Sequence, residues 1–124
     1  ELVGDVGAGK TTFTKGLAVG LGVQDDVQSP TFTISRVYTA RDGLELSHYD
    51  FYRLTNPGIL KIEIEQAVHD PRMITVVEWG EIIEGVLPDS KMTITFRPLS
   101  ETTRRVTITG GDPQLLQTLG EITQ

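Results

Sequence analysis

Residues Gly4 to Thr11 read Gly-Asp-Val-Gly-Ala-Gly-Lys-Thr, the complete G-x-x-x-x-G-K-[ST] spacing of a phosphate-binding loop. A loop poor in side chains lets several backbone N–H groups converge on one phosphate, and the helix that follows adds the partial positive charge of its N-terminus. Gly7, Ala8, Gly9, Lys10, Thr11 and Thr12 are therefore expected to hold a nucleoside triphosphate. In that arrangement Lys10 reaches the β- and γ-phosphates and the Thr11 hydroxyl is a Mg²⁺ ligand. The elements such a loop requires are present. Glu1-Leu2-Val3 reads as the end of a strand, and Phe13, Leu17 and Leu21 recur at helical spacing beyond the loop.

Phosphoryl chemistry needs a second protein group for Mg²⁺ and a means of aiming water in line with the leaving group. Glu78 is one candidate. It ends the nearly continuous apolar run Met73-Ile74-Thr75-Val76-Val77, at the carboxyl end of a strand, where α/β sheets gather their ligands. Asp50, in His48-Tyr49-Asp50-Phe51-Tyr52-Arg53, is another. If the strand continues, period two puts His48, Asp50 and Tyr52 on one side and Tyr49 and Phe51 on the other. Asp50 then serves Mg²⁺ or its bound water, or instead pairs with Arg53 to cap a turn. Ser29-Pro30-Thr31-Phe32-Thr33 is either a switch that senses the γ-phosphate or an ordinary turn before a strand.

The elements that must position these groups follow from pattern. Thr31 to Tyr38 and Leu44 to Tyr49 are rich in β-branched and aromatic residues and flank Ala40-Arg41-Asp42-Gly43, a hairpin signature. Asn56 as cap and Pro57 at the first helical position open a helix over residues 59–68. Met92 to Phe96 and Arg105 to Thr109 alternate as strands, and Asp112-Pro113 starts a short C-terminal helix. The expected fold is an α/β sandwich with a mixed, mainly parallel central sheet, like that of the P-loop NTPases. A chain of 124 residues suits one domain, residues 1–124, and the native protein is expected to begin upstream of Glu1. Eleven basic against seventeen acidic residues, a net charge of −6, oppose tight unaided binding of nucleic acid. With no cysteine there is no disulfide or thiolate metal site, which fits a cytoplasmic protein. No apolar run is long enough to cross a membrane. His69, at a helix end beside Asp70-Pro71, is given no chemistry.

Taken in order, the phosphate loop, Ser29-Pro30-Thr31-Phe32-Thr33, His48-Tyr49-Asp50-Phe51-Tyr52-Arg53-Leu54 and Val77-Glu78-Trp79-Gly80-Glu81 resemble the bacterial tRNA threonylcarbamoyladenosine biosynthesis ATPases, the TsaE family. The resemblance covers nearly the whole chain. It implies that Lys10 and Thr11 hold phosphate and Mg²⁺, that Thr31 lies in a switch-like loop, and that Asp50 and Glu78 serve the metal and hydrolysis. It also implies that Trp79 lies near the nucleotide and that a late arginine reaches it, Arg104 or Arg105, of which Arg104 is chosen. ATP or ADP with Mg²⁺ are the implied cofactors. Proteins of the TsaB and TsaD type, which carry the transferase chemistry, are the implied partners, so that tRNA is engaged only indirectly. The Lys61-Ile62-Glu63-Ile64-Glu65 segment departs from the family pattern.

Two other classes share the loop. A small-molecule kinase would need an acceptor pocket and a cationic lid, to which Arg104-Arg105 could belong, and a nucleotide sensor would bind ATP without turnover. A GTPase is disfavoured, because no Asn-Lys-x-Asp or Thr-Lys-x-Asp segment occurs.

Overall fold

The computed structural model describes residues 1–5, 7–28, 34–52 and 54–123, the side chains of 122 and 123 excepted. Strand β1 (Leu2–Val3) leads through the phosphate loop into helix α1 (Lys10–Gly20). The hairpin of β2 (Ser35–Thr39) and β3 (Glu45–Asp50) follows, then α2 (Leu60–His69), β4 (Met73–Glu78), β5 (Met92–Pro98), β6 (Arg104–Gly110) and α3 (Pro113–Thr123). The six strands form one sheet in the order β2-β3-β4-β1-β5-β6. Its three central pairings, β3 with β4 and β1 with both β4 and β5, are parallel, and the two outer hairpin pairings are antiparallel. This is the expected mixed, mainly parallel sheet.

Alternation along β3 and β4 sends side chains into two cores. Leu46 and Val76 join Leu2, Ala18, Ile94 and Phe96 on the face covered by α1, where Phe13, Leu17 and Leu21 pack as their helical spacing requires. Tyr49 and Val77 join Phe51, Ile64 and Ile83 on the face covered by α2 and the short 3₁₀ turn Gly80–Ile83. The apolar run in β4 is thus buried from both sides, as a parallel strand is. Helix α1 stops where Gly22 takes the left-handed conformation (φ 76°), and Val23 and Gly22 donate back to the Ala18 and Val19 carbonyls. That is a Schellman ending.

Helix α2 differs from expectation at its start. It begins at Leu60 with no side-chain cap. Asn56 Oδ1 instead accepts from the Gly58 N–H at 3.0 Å, and Leu60 N–H reaches the Pro57 carbonyl. Asn56 closes a local turn one step ahead of the helix, because an Asn side chain satisfies the N–H two residues on as readily as a helix terminus. At the other end of the chain Asp112 Oδ1 accepts from Gln114 N–H, and α3 starts at Pro113 as expected.

Because β1 is two residues long, it meets β4 only at Glu78. Beside the rest of β4 lies a slot of about 440 Å³, lined by Met73, Ile74, Val76, Met92 and Leu115 among others.

Ile64 is wholly buried and ties α2 to the sheet. Ile64→Ala should lower the unfolding free energy by about 2–5 kcal/mol in a denaturant titration. A loss below about 1 kcal/mol would mean that α2 does not pack as described.

Candidate functional site

The site stands at the carboxyl end of the parallel strands. Leu2 is in register with Glu78, and Glu78 with Asp50, so the chain leaves β1 for the phosphate loop directly beside a row of two carboxylates. Adjacent strands place Asp50 and Glu78 on the α1 side of the sheet with backbones about 4.8 Å apart. Both side chains are buried. A compact loop can be built here because its residues are small. Gly9, at φ 113°, turns the chain into α1 in a conformation that glycine adopts without strain, Ala8 is buried, and Ala8 N–H closes the loop onto the Asp5 carbonyl at 3.0 Å.

Among the described residues no side chain caps α1. The first amides of a helix have no partner within it, so the N-terminus of α1 offers N–H groups and positive dipole to an anion. Lys10 is nearly buried for a lysine, 5% exposed. Its Nζ donates to the Gly4 carbonyl at 2.5 Å and lies 4.2 Å from the centroid of the Trp79 ring. Trp79 stands in the left-handed region (φ 57°), where the chain breaks out of β4, and its ring meets that of Tyr52 at 4.9 Å. Trp79 and Tyr52 thus wall one flank of the loop.

Each carboxylate has a donor. Asp50 Oδ1 accepts from the Tyr52 N–H at 3.0 Å, closing the end of β3; the alternative pairing with Arg53 falls outside the described residues. Glu78 Oε2 accepts from His48 Nε2 at 2.5 Å, a contact buried on both sides. Thr11 lies on the first turn of α1, half-buried. Among the described residues no group of three or more His, Cys, Asp or Glu side chains is arranged to hold a metal. Mg²⁺ takes one or two carboxylates and fills its octahedron with water and phosphate oxygens. The hard oxygens of Thr11, Asp50 and Glu78 fit it.

On the other flank a cleft of about 470 Å³ opens between the loop and the β5–β6 hairpin, lined by Gly7, Gly9, Thr12, Phe96, Arg104 and Val106 among others. Arg104 therefore shares a cleft with the phosphate loop. Its Nη1 donates to the Ser100 and Thr103 carbonyls at 2.9 and 3.0 Å. Arg105 is exposed and stands opposite Arg97, on the other face of the hairpin. Thr31, with the whole Ser29–Thr33 loop, and Arg53 lie outside the described residues.

The family profile described as "Threonylcarbamoyl adenosine biosynthesis protein TsaE" matches residues 1–106. The chain belongs to the TsaE family. Helix α3 lies beyond the matched region. The TsaE protein of Treponema pallidum is 42% identical over 108 residues, covering 86% of this chain and 78% of that protein. That of Bacillus subtilis is 41% identical over 109 residues, 87% of this chain and 66% of the relative, so the chain spans just under two thirds of it. The fold agrees with the crystal structure of Bacillus subtilis YdiB, with a TM-score of 0.71 at 34% identity, covering 98% of this chain and 74% of the other.

Two features were not legible in the sequence. Period two set His48 on the side of Asp50, but nothing in the pattern said that it would reach diagonally across to Glu78. The stacking of Trp79 on Lys10 depends on the left-handed turn after β4, which a tryptophan does not announce. His69 behaves as read, with its Nδ1 2.8 Å from the Glu65 carbonyl in the last turn of α2.

A cation over an indole is worth roughly 0.5–2 kcal/mol, less than the charge-assisted bonds a lysine makes to phosphate. The Lys10 contact with Trp79 is therefore strong enough to form and weak enough to yield. Lys10→Ala should change the emission of Trp79, the one tryptophan of the chain, in nucleotide-free protein. An unchanged spectrum would mean that the contact is not held in solution.

Proposed function

We propose that this chain is a Mg²⁺-dependent ATPase that supports formation of threonylcarbamoyladenosine in tRNA, acting through a partner transferase complex of the TsaB and TsaD type. The observation that carries this reading is the uncapped N-terminus of α1 at a P-loop set beside the Asp50–Glu78 row. Membership of the TsaE family supports the pathway, for which the relatives are named.

In this reading the amides of Gly7 to Thr12 cradle the phosphates, and Lys10 turns from the Gly4 carbonyl and Trp79 toward the β- and γ-oxygens. Thr11, Asp50 and Glu78 hold the metal, which when bound spreads and screens the phosphate charge. Glu78 also orients the attacking water, and Asp50 keeps the end of β3 closed through Tyr52 while facing the same side. Arg104 reaches the nucleotide from the β5–β6 hairpin. Thr31 belongs to a loop that responds to the γ-phosphate. Trp79 forms a wall beside the phosphates. Residues 1–124 act as one ATPase unit.

Among the described residues no helix is long and apolar enough to cross a membrane. The cytoplasm, where tRNA is modified, is the proposed location. An acidic chain gains little from direct contact with a polyanion, which is why tRNA is assigned to the partners.

Glu78→Gln keeps the shape of the side chain and removes its charge. Nucleotide should still bind while hydrolysis falls by about tenfold or more. Lys10→Ala, in contrast, should raise the Kd for a fluorescent ATP analogue by about tenfold or more, because the cation that reaches the β- and γ-phosphates is gone. Binding within a factor of about two of the unmodified protein would mean that the loop is not the site. Full hydrolysis by the Glu78 variant would shift its role to Asp50.

The chain alone should hydrolyse ATP slowly and retain little tRNA, with both rising when the two transferase proteins are added at near-physiological salt. Fast hydrolysis unchanged by those partners would favour the kinase reading.

A further inference from the structure

His48 is wholly buried on the α1 side of β3, and the roles proposed above do not use it. Its cross-strand neighbour is Val76, two residues before Glu78, so the imidazole and the carboxylate face each other diagonally on one side of the sheet. The contact is Nε2 to Oε2 at 2.5 Å, with 0% and 4% of the two side chains exposed. An ionised carboxylate can only accept, so Nε2 carries the proton and donates it. Among the described residues His48 Nδ1 has no hydrogen-bond partner.

From this geometry we infer that His48 is the positioning residue of Glu78. Its single donor occupies Oε2 and holds the carboxylate in one rotamer, so that Oε1 is the oxygen presented to a Mg²⁺-bound or attacking water. A glutamate has three side-chain torsions, and one left without a donor at this depth would both sample other rotamers and carry an unsatisfied buried charge. Outer partners of this kind typically matter by roughly tenfold to a hundredfold. The inference rests on Glu78 serving the metal and hydrolysis.

The test is a double-mutant cycle on single-turnover ATP hydrolysis, with His48→Leu, His48→Gln, Glu78→Gln and the double variant His48→Leu/Glu78→Gln. His48→Leu should slow hydrolysis roughly tenfold to a hundredfold. Its Kd for a fluorescent ADP analogue in EDTA should stay within about threefold of the unmodified protein, since the phosphate loop is intact. His48→Gln, whose amide N–H reaches about as far as Nε2, should restore most of the rate. Adding His48→Leu to Glu78→Gln should cost at most about twofold more, because a positioning residue has nothing left to position. A second measurement needs neither turnover nor the leucine variant. In nucleotide-free protein, nitrogen–proton NMR of the histidines should show one strongly downfield Nε2–H, which moves upfield in Glu78→Gln. Effects of His48→Leu and Glu78→Gln that multiply, a glutamine variant as slow as the leucine one, or an Nε2–H indifferent to Glu78→Gln would overturn the inference while leaving the role of Glu78 standing. A Glu78→Gln variant that hydrolyses at the unmodified rate would instead remove the reading of Glu78 itself, and the inference with it.

Discussion

The position of Leu2 is the constraint on which the site depends. It pairs at once with Glu78 of β4 and Ile94 of β5, and these few bonds decide how far along the sheet the phosphate loop begins. A slip of one residue would turn Leu2 out of the α1 core, where it packs with Val76 and Ile94, and point the neighbouring Val3 inward. It would also move the start of the loop by about 3.3 Å along the carboxylate row, enough to separate a phosphate bound at α1 from any metal held at Glu78. Burial of one leucine thus sets the alignment of the loop with the carboxylate row.

The elements were largely legible in the sequence because each rests on a local rule. The loop is a fixed spacing, α1 carries an apolar stripe and a glycine stop, and β4 is an apolar run that only a strand covered on both faces would need. The start of α2 was misjudged because Asn56 has two ways of satisfying an N–H, and the choice depends on how the chain approaches the sheet. What could not be read were the contacts that join distant segments, such as His48 to Glu78 across β3 and β4, or Arg104 rather than Arg105 in the wall of the cleft. The latter choice is set by strand register. Arg104 lies two residues from Val106 and shares its face of β6, and Val106 stands opposite Phe96.

Two adjacent buried carboxylates would repel one another and lose hydration, costs that neighbouring donors must offset. The Tyr52 N–H on Asp50 and the His48 Nε2–H on Glu78 provide part of that compensation. Lys10 does not spend its charge on either acid. It lies instead against a carbonyl and an indole, both neutral partners for an ammonium group. Each acid thus has at least one hydrogen bond made, while the loop cation rests on neutral partners.

Backbone strain falls in the same place. Of the three described non-glycine residues with positive φ, Ile34, Asp42 and Trp79, two adjoin the carboxylate row. Ile34 is a β-branched residue at φ 68°, and its carbonyl accepts the Asp50 N–H at 2.8 Å; Trp79 follows Glu78 directly. Such conformations cost on the order of 1–3 kcal/mol each and persist only where the surroundings hold them. The surroundings here are apolar, since both side chains pack against the core on the α2 face, opposite the chemistry. That core thereby supports the ends of β3 and β4 in place, and through the Trp79 ring it reaches across to Lys10. A packing change beneath Trp79 would be felt at the loop lysine, because the ring lies 4.2 Å from Lys10 Nζ.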